Sequence, residues 1–171
     1  MKVSELFAEI TLKPDFEGFI TADDMVLAAD ITGKASSVDD YEVIQMGVKS
    51  VDASLNAEKK TNAYIRAGKS TTKTGTQRTF GIDADRYIGD AFQDYALSHE
   101  IKYGVGQSCI VPYAYFDRIT GKGEKGKVSI IVDTDGSGGA EENSGVSISL
   151  EKAGEAPTEF TYAKSGTKSG G

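Results

Sequence analysis

The chain has 171 residues and a mass of 18.2 kDa, the size of one domain or of one domain with arms. Hydrophobic residues make up 39% and charged residues 26%, which excludes a wholly disordered chain. The formal net charge is -7 and no apolar run approaches the roughly 18 residues of a membrane helix, so neither a basic nucleic-acid binder nor membrane insertion is expected.

Three further counts narrow the chemistry. The start, from Met1 to Glu5, has one lysine and no apolar run, so no secretory signal is expected. Cys109 is the single cysteine and predicts a small buried residue, not a disulfide. His99 is the single histidine, so a multi-histidine metal site is impossible and any triad would rest on it alone. Twenty glycines against three prolines read as strands joined by tight turns.

Along the chain, Val3, Leu6, Phe7 and Ile10 predict a short helix or an extended arm over residues 1–20. A short buried element follows at 25–29. From Tyr41 the pattern is extended, and a long strand is predicted over 42–56. Ile44, Met46 and Val48 alternate in one parity and Val51, Ala53 and Leu55 in the other, which predicts a bulge near Lys49 and Ser50. Residues 61–66 and 76–81 read as extended pieces. The stretch 67–75 has no large apolar side chain and reads as the exposed tip of a hairpin or loop spanning 57–76. Such a ribbon needs a neighbouring subunit to pack on.

A helix is predicted over 83–98. Ala84, Tyr87, Ile88, Ala91, Phe92 and Tyr95 recur at spacings of three and four and predict a core-facing stripe, with Asp83 as the cap. Residues 110–116 carry apolar side chains on both parities and predict a central strand. Val128, Ile130 and Val132, then Val146, Ile148 and Leu150, predict a hairpin with one buried face. Phe160 to Tyr162 reads as an edge strand, and 163–171 as a flexible tail. The glycine-rich stretches 121–126 and 133–145 read as loops.

Charge is unevenly placed. Residues 1–60 carry a net of -6, whereas Arg66, Lys69, Lys73 and Arg78 give residues 61–81 a net of +4 with no acid. These four are the candidate interface residues, able to meet the acidic surface of another copy.

Chemical motifs fare poorly. Gly121, Gly123 and Gly126 match the spacing of a dinucleotide fingerprint, but a strand follows them where a helix is required. Gly68, Lys69 and Ser70 imitate a phosphate loop whose first glycine position holds Ala63. Asp133, Asp135 and Ser137 open like a calcium loop, yet Ser144 stands where a bidentate glutamate belongs. His99 beside Glu100 and Ser98 lacks an oxyanion hole. No cofactor, metal or catalytic residue is therefore expected, and the protein is not expected to be an enzyme.

The order of elements carries a resemblance. The bulged strand over 42–56, the polar excursion over 57–75, the return through Gln77, Arg78, Thr79, Phe80 and Gly81, the helix over 83–98 and the four closing strands resemble the bacteriophage tail tube proteins. The tubes of phage-tail-like bacteriocins are similar. The likeness covers roughly residues 35–162, including the stretch from Ile110 through Pro112 to Phe116.

The resemblance implies a mainly β fold: a small β-sandwich or partly open β-barrel with one flanking α-helix and a long β-hairpin or loop arm. It implies a structural subunit of hexameric rings that stack into a hollow tube passing DNA, or ions in a bacteriocin-like particle. Residues 42–56 with 107–117, or 127–133 with 146–150, are its candidate channel-lining strands. The excursion at 57–76 would be the inter-subunit arm, with 1–20 and 163–171 ordered on assembly. Implied partners are other copies of the chain, and sheath, tape measure, baseplate and tail terminator proteins. The implied location is a virion tail or tail-like particle assembled in a bacterial cytoplasm. The alternatives are the inner tube of another contractile injection system and a monomeric β-sandwich binding module.

Overall fold

A computed structural model describes residues 1–164. The ten strands are β1 (Met25–Ala29), β2 (Glu42–Val43), β3 (Val48–Ser54), β4 (Glu58–Tyr64), β5 (Gly68–Gly75), β6 (Thr79–Asp85), β7 (Ile110–Asp117), β8 (Lys122–Thr134), β9 (Gly145–Lys152) and β10 (Thr158–Thr161). Three short α-helices accompany them among the described residues: α1 (Val3–Leu6), α2 (Ala91–Ala96) and α3 (His99–Lys102). Eight strands form one antiparallel sheet in the order β2-β1-β7-β8-β9-β6-β3, with β10 alongside β8. β4 and β5 pair only with each other.

β2 and β3 lie at opposite ends of that order, yet only residues 44–47 separate them in the chain. So short a link spans at most roughly 18 Å, so the sheet must curl until its two ends approach. The mainly β class holds, and the form is an open, barrel-like curl. Leu27, Ile44, Val48, Val51 and Tyr115 line a cleft of ≈ 360 Å³ where those ends face each other.

Alternation fills the inside of the curl. Phe80, Ile82 and Ala84 on β6, Val128 and Ile130 on β8, and Val146, Ile148 and Leu150 on β9 are all buried. Phe92 and Ala96 from α2 and Ile101 from α3 complete this core. A second cluster lies on the other face of β1 and β7, where Val26, Ala28, Ala114 and Phe116 meet Val3, Phe7 and Tyr162. β1 and β7 are therefore covered on both faces, which is why each reads as a nearly continuous apolar run.

The predicted bulge is present: the β3–β6 register slips between Val48 and Ser50. The β8–β9 hairpin pairs as its alternation requires, β7 is central, and Cys109 is buried. β10 lies on β8 close to the predicted edge strand.

Other expectations are corrected. The predicted strand over 42–56 is two strands, β2 and β3, parted by a turn at Gly47, whose φ is 73°. A Cβ at Gly47 would also collide with the Asp85 carbonyl oxygen, so the position demands glycine twice over. The excursion over 57–76 is a hairpin, exposed as expected, but its tip is shorter than 67–75, because 68–75 is strand β5 and the turn is confined to 65–67. Residues 122–126 are not a loop but the first part of the 13-residue β8. Gly123 sits against the β7 backbone, where a Cβ would strike the Tyr115 carbonyl and Phe116, so that glycine allows close approach rather than a turn.

The helix over 83–98 does not form. β6 runs through Asp85, and α2 begins only after Asp90, whose side chain accepts a 2.9 Å hydrogen bond from Gln93 N. Ala84 belongs to the period-two set of Phe80 and Ile82, so the apparent helical stripe joined a strand residue to a later helix. Of the stripe, Phe92 is buried and Tyr95 half-buried, while Ala91, Tyr87 and Ile88 are exposed.

Residues 1–10 are not an arm awaiting assembly either. Val3 and Phe7 are fully buried, and the Phe7 ring lies 4.4 Å from Tyr162 and 5.7 Å from Phe116. Chain from Thr11 to Thr21 is exposed apart from half-buried Leu12, and Phe19 is completely open to solvent. Of the predicted tail over 163–171, residues 165–171 lie outside the described residues.

Candidate assembly surfaces

Two surfaces stand out once the cores are accounted for. The first is the β4–β5 arm. Alternation in this pair is polar on both faces, and its residues are exposed except for half-buried Asn62 and Gly75. In its register Lys59 opposes Lys73, Thr61 opposes Thr71, and Ala63 opposes Lys69. Directly opposed residues share a face. One face therefore presents Lys59, Lys69 and Lys73 around a Thr61–Thr71 hydroxyl contact of 2.9 Å. The other presents Lys60, with Asn62 Nδ2 donating to the Tyr64 hydroxyl at 3.3 Å.

Like charges placed opposite one another weaken an isolated strand pair. Here nothing on the arm offsets Lys59 and Lys73 except Glu58 at its base. The turn at Ile65, Arg66 and Ala67 holds Arg66 at a φ of 66°, and Ile65 is 93% exposed. Tyr64 beside it is 56% exposed, so the cationic tip also presents two large apolar side chains to water.

Arg66, Lys69 and Lys73 all lie on this arm, joined by Lys59 and Lys60. Arg78 does not. It is 8% exposed, its Nε lies 2.7 Å from Glu124 Oε1, and its guanidinium stacks over Phe80 at 4.7 Å and Tyr115 at 5.0 Å. The Nε–H is not aimed along the line to Glu124, so the contact is an ion pair rather than a directed hydrogen bond. The Tyr113 hydroxyl donates to the same Glu124 Oε1 at 2.9 Å. Burial first, then the Glu124 carboxylate, pushes the Tyr113 phenol well above the ordinary tyrosine range. Arg78 thus anchors the root of the arm within the body, and the expected set of four divides into three arm cations and one anchor.

The second surface is the outer face of the four neighbouring strands β3, β6, β9 and β8. With Val51, Phe80, Ile82, Ile148 and Leu150 turned inward, the opposite parity faces out. One row across the strands is Asp52, Gly81, Ser149 and Ile131, and the next is Ser50, Asp83 and Ser147. Ser149 Oγ donates to Asp133 Oδ2 at 2.6 Å. The spans 50–54, 79–85, 129–133 and 145–151 contain five acids and no lysine or arginine, with Lys49, Lys127 and Lys152 at their ends. Lys49, at the bulge, is drawn to Asp85 at 3.2 Å and Asp83 at 3.9 Å. The Asn143 hydrogen bond and then Lys49 hold the Asp85 carboxyl below its usual range, so it stays ionised. The face is small, smooth and negative.

A satisfied glutamine ties the end of this sheet to the turn beside it, and the apolar patterning carried no sign of it. Gln93 is 2% exposed; its Nε2 donates to Met46 O at 2.8 Å and Asp85 O at 3.1 Å, and its Oε1 accepts from Tyr87 N at 2.9 Å. The chemical motifs do not converge. His99 is an exposed residue opening α3 and packs on Tyr103, and Gly68, Lys69 and Ser70 begin β5. Among the described residues no group of three or more histidine, cysteine or acidic side chains is placed to hold a metal.

No protein-family model matches the chain, and no curated protein matches it by sequence. Solved structures do match its fold. A chain in the virion of a native gene transfer agent (GTA) particle superposes with a TM-score of 0.56, covering 84% of this chain and 100% of its own, at 14% identity. A chain in the tail of an empty GTA particle, from helical refinement with C6 symmetry, gives 0.56 over 85% and 100% at 16% identity. The curled antiparallel sheet is thus a fold that also occurs in the virion and tail structures of gene transfer agent particles.

Proposed function

We propose that this chain is a structural subunit of a phage-type or tail-like particle and that six copies close into rings that stack as a hollow tube. The observation that carries this reading is the pairing of the two surfaces on one fold: a smooth acidic sheet face and a projecting cationic arm. A conduit needs the first, because phosphates slide along a wall that repels them, and the lysine at its bulge, Lys49, is drawn to Asp83 and Asp85. A polymer needs the second, because a two-stranded ribbon without a core gains its stability from a partner.

In this reading β3, β6, β9 and β8 line the channel. That selects 48–54, 128–133 and 146–150 from the candidate lining segments, adds β6, and leaves β7 behind the wall as a buried central strand. Side-by-side copies would join sheet edges within a ring, which removes exposed edges. The C6 symmetry of a tail that shares the fold supports the ring size. Sheath, tape measure, baseplate and terminator proteins are the further partners such a tube implies, and its place is the particle's tail. The cargo is DNA for a phage or similar particle, and ions for a bacteriocin-like one.

Negative-stain electron microscopy of the purified chain over a concentration series tests the proposal. Hollow tubes or stacked six-fold rings are expected. A monomer that persists at high concentration, and also when fragments of a tail carrying the terminal ring are added as seeds, overturns it.

A further inference from the structure

The β3–β6 ladder has two ends that differ in charge. It runs from Ser54 paired with Thr79 to Val48 paired with Ala84. The arm leaves from the first end. At the second, the chain passes from β6 into loop 86–90, beside loop 135–144, which precedes β9. Arg86 N donates to Ser144 O at 2.8 Å and Asn143 Nδ2 to Asp85 Oδ2 at 3.2 Å, so these two loops form one surface.

The arm, residues 58–75, has five bases against one acid, whereas segments 83–104 and 133–145 together have nine acids against two bases. Both of those bases are already engaged: Arg86 with Asp94 at 2.6 Å and Lys102 with Asp135 at 3.0 Å. The far end is therefore negative after its internal pairs are made. It also presents Tyr87 and Ile88, 51% and 82% exposed, to match Tyr64 and Ile65 at the arm's tip.

We propose that the tip of the arm docks on the 86–90 and 135–144 surface of a second copy, Ile65 against Ile88 and the arm cations against the acidic loop. The proposal rests on the tube reading and names the contact between successive rings. Donor and receptor are different surfaces at opposite ends of one ladder, so copies aligned in the same direction can repeat the contact. A head-to-tail contact of this kind repeats along an axis without closing, which is what an extended stack requires. Charge sets its orientation and encounter rate, and the apolar pair excludes water at its centre.

The experiment uses the assembled full-length chain. Oxidation of tubes made from the Ile65→Cys/Ile88→Cys variant should give a ladder of covalent multimers. Either single variant should give no ladder, since Cys109 is buried and common to all. In parallel, the arm reversal K59E/K69E/K73E and the receptor reversal E141K/E142K should each raise the concentration needed for assembly roughly tenfold. One chain carrying both sets should assemble as the original does. Circular dichroism verifies that each variant is folded. Tubes that form without the ladder, or with assembly unchanged by both reversals, overturn this docking while leaving the tube intact. Failure of the unaltered chain to assemble at high concentration, with or without seeds, overturns both.

Discussion

The molecule contains two antiparallel hairpins that differ in almost everything but their pairing. In β8–β9, Val128, Ile130, Val146, Ile148 and Leu150 are at most 3% exposed. In β4–β5 the same alternation places Lys59, Thr61, Ala63, Lys69, Thr71 and Lys73 in water. The hydrogen-bonded ladder alone therefore does not explain why a hairpin exists. β8–β9 is held by a core that the chain supplies itself, whereas β4–β5 has none and projects roughly 23 Å, its seven-residue strand length. One hairpin belongs to the fold, and the other presents a surface.

The largest effect that separates them is a truncation. Leu150→Ala, in a fully buried site, should cost about 4 kcal/mol by removing buried methyl groups and leaving a cavity. Ile65→Ala, which removes a similar side chain from the arm, should change protomer stability by less than about 0.5 kcal/mol. Urea denaturation followed by circular dichroism, at a concentration where the protein is monomeric, reads both. Similar losses would show that the arm packs on its own body and would break the comparison.

A smaller effect tests where the arm ends. Arg78 lies three residues beyond β5 yet is buried against Phe80, Tyr115 and Glu124. Arg78→Ala should cost about 2 kcal/mol, less than a fully buried pair because Glu124 retains some solvent contact. Lys69→Ala should leave protomer stability unchanged. If the two substitutions behave alike in the urea midpoint, Arg78 is an arm cation after all and the root of the arm is misplaced.

What the sequence disclosed follows the same division. Wherever a strand buries one or both faces, alternation in the residues made it legible: β7, the β8–β9 hairpin, and even the bulge beside Lys49. Strand β5 left no such trace, because Lys69, Thr71 and Lys73 lack apolar periodicity. The first part of β8 was hidden by Gly123 and Gly126, which mark close backbone contact as readily as a turn. The false helix arose where period two, ending at Ala84, passed into a helical turn carrying Phe92. Gly89 and Asp90, a glycine and a cap, were the local signal of that break. The acidic outer face is the complement of the core and appears only once strand neighbours are known, since Asp52, Gly81 and Ser149 are far apart in the chain. Lys59 and Lys60 lie just before the acid-free span 61–81, and Arg78 shares that span with the arm cations although distance along the chain does not reveal its burial.

The smallest effect comes from the body's buried phenols. Burial first, then the Asp39 carboxylate accepting from its hydroxyl at 2.6 Å, raises the Tyr162 phenol well above the ordinary range, as burial and Glu124 raise that of Tyr113. Both phenols hold their protons more tightly in the folded chain than in the unfolded one. Above roughly pH 10 the folded state therefore binds more protons, and stability falls as pH rises. Below the unfolded value their contribution is fully present. The loss should be under about 1 kcal/mol at pH 10 and steeper beyond it. Urea midpoints measured from pH 8 upward should show this decline, and Tyr113→Phe with Tyr162→Phe should flatten it at some cost in basal stability. Should the decline persist unchanged in the double variant, these two rings are not its source, and the body's two aromatic anchors contribute packing alone.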